Sequence, residues 1–281
     1  MINKKIFKRL VILIVSLLAA QRGYSAFEER PGSIRAISMG GAGVALAEGA
    51  SSIYLNPAGV AKLRSPELVA TYTTLFGLEE LRYTNLAYLQ PLRRLGNLGF
   101  GWEGFGEGIY KERVAFLSYA RKILKGSYVG VNLKHMELSI ETIGKATSVG
   151  FDLGFIQELG GKVSVGLFSR NTNRPQIGGE GLPSKIAAGI GFKSFEKMIL
   201  VLDYGITETS TKKSLGSLAV GTEIELTSSF LLRAGVQSSP QRIGLGFGLR
   251  QRQLGVDYTY LTHHVLGGSH QLNLILRFQE K

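Results

Sequence analysis

The amino-acid sequence predicts an all-β protein: a transmembrane up-and-down antiparallel β-barrel of about 14 strands, preceded by a short N-terminal hatch segment. Bulky apolar residues alternate with small or polar ones, and turn-forming clusters separate the alternating runs. Glycine supplies 37 of the 281 residues, about 13% where ~7% is usual. Because the face opposite the bulky one is mostly Gly, Ala and Ser, the bulky face is predicted to meet lipid and the small face to line a lumen.

The run 242–250 shows the alternation most clearly. One face carries Ile243, Leu245, Phe247 and Leu249, and the other carries Gly244, Gly246 and Gly248. The runs 149–155, 186–192, 254–260 and 272–278 alternate in the same way. A secreted β-sandwich is the alternative, in which these bulky residues would form a water-free core and the other face would carry Lys, Glu and Thr.

Fourteen runs of suitable length are predicted as strands. They lie near 67–76, 83–92, 97–106, 110–121, 127–140, 146–158, 162–170, 184–194, 198–206, 216–225, 229–238, 241–250, 252–263 and 269–278. Two of them, 83–92 and 110–121, alternate poorly, so twelve or thirteen strands is a second reading. With an even count and a periplasmic N-terminal segment, the long connections 171–183 and 207–215 fall outside the cell, as outer-membrane barrels require.

The first 25 residues are predicted to be a signal peptide. A basic start is followed by the apolar run Leu10–Ala20, and Gly23 and Ser25 offer small residues for cleavage before Ala26. A membrane anchor is the alternative, although a spanning helix needs about 20 apolar residues. The predicted organisation is therefore a signal peptide at 1–25, a hatch at 26–66 and a transmembrane β-barrel at 67–281, located in the bacterial outer membrane.

The segment 26–66 does not alternate, and it is too irregular to join a sheet. It contains two clusters of turn-forming residues, Gly40-Gly41 and Asn56-Pro57-Ala58-Gly59, and a helix-friendly stretch at 44–50. A lumen lined by glycine and alanine leaves room for an inserted segment. The segment is therefore predicted to be an internal plug at the periplasmic side.

The same segment carries a family resemblance. Residues 35–47 read R-A-x-x-M-G-G-A-x-V-A-x-A, and residues 52–59 read S-I-Y-L-N-P-A-G. This pattern resembles the N-terminal signature of the PorV/PorQ family, which belongs with the FadL-type long-chain fatty-acid transporters of the outer membrane. The resemblance implies a fourteen-stranded barrel with an N-terminal hatch. The hatch motif that it implies consists of Gly40, Gly41, Asn56, Pro57, Ala58 and Gly59.

Two functions follow from this resemblance. The first is passive transport of hydrophobic molecules across the outer membrane. The alternative is a non-transporting outer-membrane partner of a protein secretion system. The expected partners are membrane lipid and either hydrophobic small molecules or a secretion-system protein.

Composition argues against several other classes of function. The chain has no cysteine and only four histidines, so no metal site, no cofactor and no enzymatic activity are predicted. The net charge is +12, but five of the basic residues precede residue 26 and the others are dispersed, so nucleic acid is not an expected partner. The pair His263-His264 is interpreted as solvated loop residues.

Four charged residues are predicted to face the lumen: Asp152, Glu223, Asp257 and Arg277. They are expected to neutralise one another or to hold the hatch, and a catalytic dyad or a permeation filter is the alternative. Aromatic residues that are candidates for interfacial girdles are Tyr24, Tyr54, Trp102, Tyr110, Tyr119, Tyr128, Tyr204, Tyr258 and Tyr260. Some of them are instead expected to be packing residues, and the sequence does not distinguish the two groups. The predicted periplasmic turns are basic, which favours either ordinary solubility or contact with anionic lipid.

Overall fold

The protein was analysed as a computed structural model. The structure describes residues 26–28, 32–195, 197–263 and 265–278. The predicted signal peptide and His264 lie outside the described residues.

Nearly all of the described chain after residue 66 is β-structure. The strands are β1 (Glu67–Thr74), β2 (Arg82–Pro91), β3 (Asn97–Phe105), β4 (Tyr110–Leu124), β5 (Ser127–Ile140), β6 (Gly144–Leu159), β7 (Val163–Arg170), β8 (Gln176–Ile177), β9 (Glu180–Gly181), β10 (Ser184–Phe195), β11 (Met198–Glu208), β12 (Ser214–Thr227), β13 (Phe230–Ser238), β14 (Gln241–Gln251), β15 (Leu254–His263) and β16 (Gly267–Arg277). Two short α-helices, α1 (Ile34–Ser38) and α2 (Ser52–Leu55), precede them. The 3-10 helices are Pro57–Lys62, Leu75–Gly77, Glu79–Leu81 and Arg93–Leu95.

Fourteen of these strands form one closed antiparallel barrel, and β8 and β9 form a separate two-stranded hairpin. Each barrel strand pairs with its neighbours along the chain, with β7 pairing to β10 around the small hairpin. Pairing of β1 with β16, from Glu67 opposite Arg277 to Thr74 opposite His270, closes the barrel. The predicted up-and-down topology and strand number are confirmed.

The weak alternation of the run 110–121 has a structural cause. Burial alternates along β4 as in the other strands, but the inward residues include Val114 and Phe116, which are apolar. The Phe116 ring packs edge-on against Tyr54 of the hatch, with 5.3 Å between ring centroids. Both faces of this strand are therefore apolar, so hydrophobicity does not alternate although side-chain direction does.

The bulky face of the strands points outward all round the barrel. Leu245 is 51% exposed and Leu274 is 54% exposed, whereas the neighbouring inward residues Asp257 and Asn273 are buried. Backbone groups are paired strand to strand, and the exposed side chains form an apolar outer surface, as a bilayer requires. This arrangement excludes the β-sandwich alternative and shows a barrel that spans a membrane.

In the described part of the chain, no helix has the length and apolarity needed to cross a membrane.

The two ends of the barrel differ in their connections. One end, here called the short-turn end, has connections of five residues or fewer, at 92–96, 125–126, 160–162, 196–197, 228–229 and 252–253. The other, here called the loop end, carries the connections 75–81, 106–109, 141–143, 171–183, 209–213, 239–240 and 264–266. Outer-membrane barrels have short turns on the periplasmic side and longer loops outside the cell.

The hatch lies inside the barrel and extends along the lumen. Its 3-10 helix Pro57–Lys62 lies at the short-turn end, where Asn97 donates to the carbonyls of Val60 and Leu63. Gly40 lies against Val236 nearer the loop end. The hatch thus reaches beyond the periplasmic side. The stretch 44–50, predicted as helix-friendly, forms turns and a bend instead, and Asp203 accepts the backbone N–H groups of Gly43 and Val44 where the stretch begins.

Candidate functional site

Asn56 joins two parts of the hatch to the barrel wall. Its side chain is fully buried and donates from Nδ2 to the carbonyl oxygens of Val44 at 2.9 Å, Leu167 at 3.2 Å and Phe155 at 3.3 Å. Its Oδ1 accepts the N–H of Ala58 at 3.1 Å and so caps the 3-10 helix. One amide therefore holds the turn, the preceding segment and strands β6 and β7 together.

The rest of the Asn-Pro-Ala-Gly element fits closely between backbone segments. Pro57 occupies the first turn of the 3-10 helix, where its missing N–H costs nothing. A side chain at Gly59 would overlap the carbonyl of Ala47. On the wall, a side chain at Gly130 would overlap Pro57, and one at Gly154 would overlap Asn56. The wall glycines therefore form a close fit to this turn.

The Gly40-Gly41 pair ends helix α1 and turns the chain. Both residues have positive φ, +72° and +87°, and their N–H groups bond to the carbonyls of Ile37 and Ala36. Gly40 also abuts the wall, because a side chain there would overlap the backbone of Val236. Gly40 therefore meets two requirements, a left-handed conformation and a close backbone approach.

A buried network of charges connects the hatch to the wall on strands β12–β15. Glu223 accepts two hydrogen bonds from Arg35 of the hatch, at 2.8 and 2.7 Å, and one from Arg233 at 2.6 Å. Arg233 also reaches Asp257 at 2.7 Å, and Arg250 binds the same carboxylate at 2.7 Å. Cations and anions alternate along this network of side chains, so each charge in it lies beside an opposite charge.

Arg35 is the member of this network that the hatch supplies. Burial opposes the charged guanidinium, but Glu223 and then Glu48 outweigh this effect and raise the pKa of Arg35 above its ordinary value. Arg35 therefore stays charged and holds helix α1 against the wall.

The other two predicted lumen charges have different roles. Asp152 is buried and pairs with Lys134 at 2.6 Å, and it also accepts the N–H of Asn171 at 2.9 Å. Arg277 lies at the short-turn end with its side chain 46% exposed and bonds to Glu67 at 2.9 Å. Glu67 in turn accepts the hatch N–H of Ala50 at 2.8 Å. The structure thus places the four residues in three separate clusters.

Several contacts of the hatch involve residues that were not predicted as site residues. Asp203 accepts the N–H groups of Gly43 at 2.7 Å and Val44 at 2.9 Å. Asn132 donates to the carbonyl of Ile53 at 2.8 Å. Each is a lone polar residue at an inward position of a strand. That position is the sequence feature that could have indicated its contact with the hatch.

Tyr54 was predicted as a girdle candidate, and that prediction is wrong. Its ring is buried in the lumen, and its hydroxyl donates to the carbonyl of Leu86 at 2.7 Å and lies 3.2 Å from that of Trp102. The hatch carries this residue inside the barrel, away from the lipid surface. By contrast, Trp102, Tyr119 and Tyr204 are exposed on the outer wall.

Within the described residues, the hatch closes the lumen except for a small cavity. A cavity of about 40 Å³ lies beside Phe27, Tyr54 and Phe116, and its wall also includes charged residues such as Lys134 and Arg170. A dry cavity that binds benzene has a volume of about 150 Å³, whereas one water needs about 10–15 Å³. The cavity therefore has room for a few waters and not for an aromatic solute.

The connection 171–183 folds over the lumen at the loop end. Ile177 and Leu182 are buried in the same apolar cluster as Phe27 and Met136. The base of the connection is tied by Asn171, which donates to the carbonyl of Pro183 at 2.6 Å and accepts from Lys134 at 2.5 Å. A solute that enters from this end meets the connection before it meets the hatch.

The described residues include no group of three or more His, Asp or Glu side chains suited to hold a metal ion. His263 lies at the loop end and accepts the backbone N–H groups of Val265 and Leu266 through Nδ1. His270 pairs with the Tyr258 hydroxyl at 2.6 Å. Both contacts are local to the β15–β16 connection.

No protein-family model matches the chain, and no curated protein matches it. Among solved structures, the CymD monoaromatic hydrocarbon channel superposes with a TM-score of 0.67 at 15% identity, over 91% of this chain and 100% of that chain. The Ralstonia pickettii toluene transporter TbuX gives 0.66 at 12% identity, over 90% and 100%. A Pseudomonas aeruginosa FadL homologue gives 0.66 at 11% identity, over 88% and 98%.

At these identities the likeness concerns the fold alone. A closed antiparallel barrel with an apolar outer surface is the architecture of bacterial outer-membrane proteins. The chain therefore has the same barrel fold as these three solved structures and is a bacterial outer-membrane protein.

Proposed function

We propose that this protein is a passive channel for hydrophobic small molecules, a non-enzymatic PorV/PorQ-type member of the FadL-like group whose N-terminal hatch is the gate. One observation carries the proposal: the barrel closes on itself through β1 and β16 without any strand from the hatch. The hatch can therefore move while the wall stays intact.

The closed lumen fits a gate at rest. The hatch is attached to the wall by side-chain ties, such as those of Asn56, Asp203 and Arg35, and not by a shared sheet. Each neutral hydrogen bond contributes about 0.5–1.5 kcal/mol and bonds to charged groups about 1.5–3 kcal/mol. Because each tie is of this size, loss of one tie is expected to raise the open population measurably.

The names of the structural neighbours suggest the class of solute. They are described as a monoaromatic hydrocarbon channel and a toluene transporter. We therefore take a small aromatic hydrocarbon as the first solute to test. Long-chain fatty acids, which the family resemblance implies, are the second.

Replacing Asn56 by alanine is expected to raise uptake of labelled toluene about tenfold in bacterial cells that lack other hydrophobic channels. The change removes the amide that ties the turn to β6 and β7. A loss of about 1.4 kcal/mol in the closed state corresponds to a tenfold larger open population. Uptake is measured at matched amounts of folded barrel in the outer membrane.

The matched control is Asn273→Ala. Asn273 is also a buried asparagine, but within the described part of the chain its side chain bonds to the wall residues Thr71 and Asp257 and not to the hatch. Uptake at the wild-type level is expected for this variant. If Asn56→Ala leaves uptake unchanged, or if both variants raise it equally, the hatch is not the gate.

A second candidate, a non-transporting partner of a protein secretion system, has one observation in its favour. The tips of the loop-end connections expose large apolar residues, with Ile143 at 80% and Val265 at 70%. Exposed apolar patches of this kind can mark a protein-binding surface. The double variant Ile143→Ser and Val265→Ser is expected to release a stoichiometric partner that the wild-type barrel retains in detergent extracts. Absence of such a partner from the wild-type extract would leave transport as the remaining function.

A further inference from the structure

The short-turn end carries a basic rim. Its exposed members are Arg64, Arg93, Arg94, Arg121, Lys122, Lys125, Lys162, Lys193, Lys197 and Arg252. They come from the segment before β1, from the short-turn ends of β4 and β10, and from all the short turns except 228–229. The positive charge is therefore distributed around the circumference of the barrel.

Among the described residues, the acidic side chains at this end do not balance the rim. Glu67 is buried and pairs with Arg277, and Glu158 pairs with Lys62 at 3.0 Å. Glu225 is half-buried at the end of β12. Among the residues that the structure describes, no ion pair involves a member of the rim.

The loop end has a different charge pattern. Several of its basic residues pair with neighbouring acids, as in Arg82–Glu107 at 3.0 Å and Arg174–Glu208 at 2.8 Å. Glu137 is shared by two further cations, at 3.6 and 3.4 Å. The unbalanced charge thus belongs to one end and not to the surface in general.

The rim also adjoins the apolar outer surface. Arg121 follows Tyr119 on the outward face of β4, and Ile123 and Leu124 beside it are 51% and 70% exposed. Arg94 stands next to Leu95, which is 70% exposed. At a membrane–water interface, apolar side chains contact the acyl chains and neighbouring cations lie at the depth of the headgroups. The rim and the apolar residues beside it have this arrangement.

We propose that the basic rim binds the anionic headgroups of phospholipids in the leaflet that surrounds the short-turn end. The chemistry recognised is a headgroup with a net negative charge held beside acyl chains. The cations lie beside exposed apolar side chains, and a lipid contacts both kinds of residue through its headgroup and its acyl chains. A soluble acidic protein would contact the cations and leave the apolar side chains exposed, so a lipid is favoured. The proposal depends on the barrel spanning a membrane and not on the lumen conducting any solute.

Native mass spectrometry of the full-length protein tests this proposal. The purified barrel is mixed in neutral detergent with equal amounts of phosphatidylglycerol and phosphatidylcholine. The wild-type protein is expected to retain phosphatidylglycerol at least about tenfold more, and this preference is expected to fall as salt rises. Equal retention of the two lipids overturns the proposal.

Two variants locate the site. The triple variant Arg121→Gln, Lys122→Gln and Lys125→Gln is expected to lose part of the preference, about in proportion to the three of ten rim residues that it removes, since each basic residue near an anionic surface contributes appreciably. The control is Lys111→Gln, Lys212→Gln and Lys213→Gln at the loop end, which is expected to keep it. All six positions are at or near connections, and retention of the folded form on unheated gels confirms that each variant is a barrel.

The remaining outcomes are also decisive. Equal loss in the loop-end variant would mean general charge attraction and would refute a rim site. Binding of a polyglutamate peptide at the rim, with no preference for phosphatidylglycerol, would assign the rim to an acidic protein and refute the lipid.

Discussion

Replacing Arg233 by alanine is expected to destabilise the barrel by about 3–5 kcal/mol, the usual cost of removing one partner from a buried ion pair. The Arg233 side chain is 1% exposed and lies between Glu223 and Asp257. Its removal leaves two carboxylates buried with less compensating charge. The loss of stability is expected to lower the denaturant concentration at the midpoint of unfolding. This midpoint is measured from the folded and unfolded bands on gels.

Arg174→Ala is the matched control for this change. Arg174 also forms an ion pair, with Glu208 at 2.8 Å, but its side chain is 74% exposed. Exposed pairs contribute about 0–1 kcal/mol, so the midpoint is expected to move little. A comparable shift in both variants would show that the buried network does not stabilise the barrel.

Replacing Gly154 by valine is expected to displace the hatch and open the lumen. The added Cβ would overlap Oδ1 of Asn56 and approach the Ala58 nitrogen to 2.8 Å and Pro57 to 2.9 Å. Overpacking of this kind costs about 1–3 kcal/mol, which corresponds to a rise of about 5–150-fold in the open population. Planar-bilayer recordings are expected to show ion conductance far more often than in the wild type.

Trypsin gives a second measurement of hatch displacement. Arg35 is protected in the closed lumen by Glu223 and Glu48, and cleavage after it is expected to appear in Gly154→Val. Gly181→Ala is the control, since a side chain there meets open space. A closed, protease-resistant Gly154→Val protein would mean that the hatch adapts to the added side chain and that the glycine fit does not determine closure.

Much of the fold could be predicted because its signals are local. Residue size alternates along each strand, so the runs that contain Leu245 and Leu274 show which face meets lipid without knowledge of any partner. The Asn-Pro-Ala-Gly element is also local, since Asn56 caps the turn that it begins. Where the hatch packs against apolar inward residues, as at Phe116, the local signal is obscured and the run 110–121 becomes ambiguous.

The sequence by itself determined a membrane barrel with an irregular segment ahead of it, because both follow from period and residue size along the chain. Only the tertiary structure decided which residues hold that segment. Arg35 meets Glu223 across 188 positions, and Gly43 meets Asp203 across 160. Such pairs depend on strand register and on closure of β1 against β16. The sequence does not indicate them, because a polar residue at an inward position looks the same whether or not the hatch passes beside it.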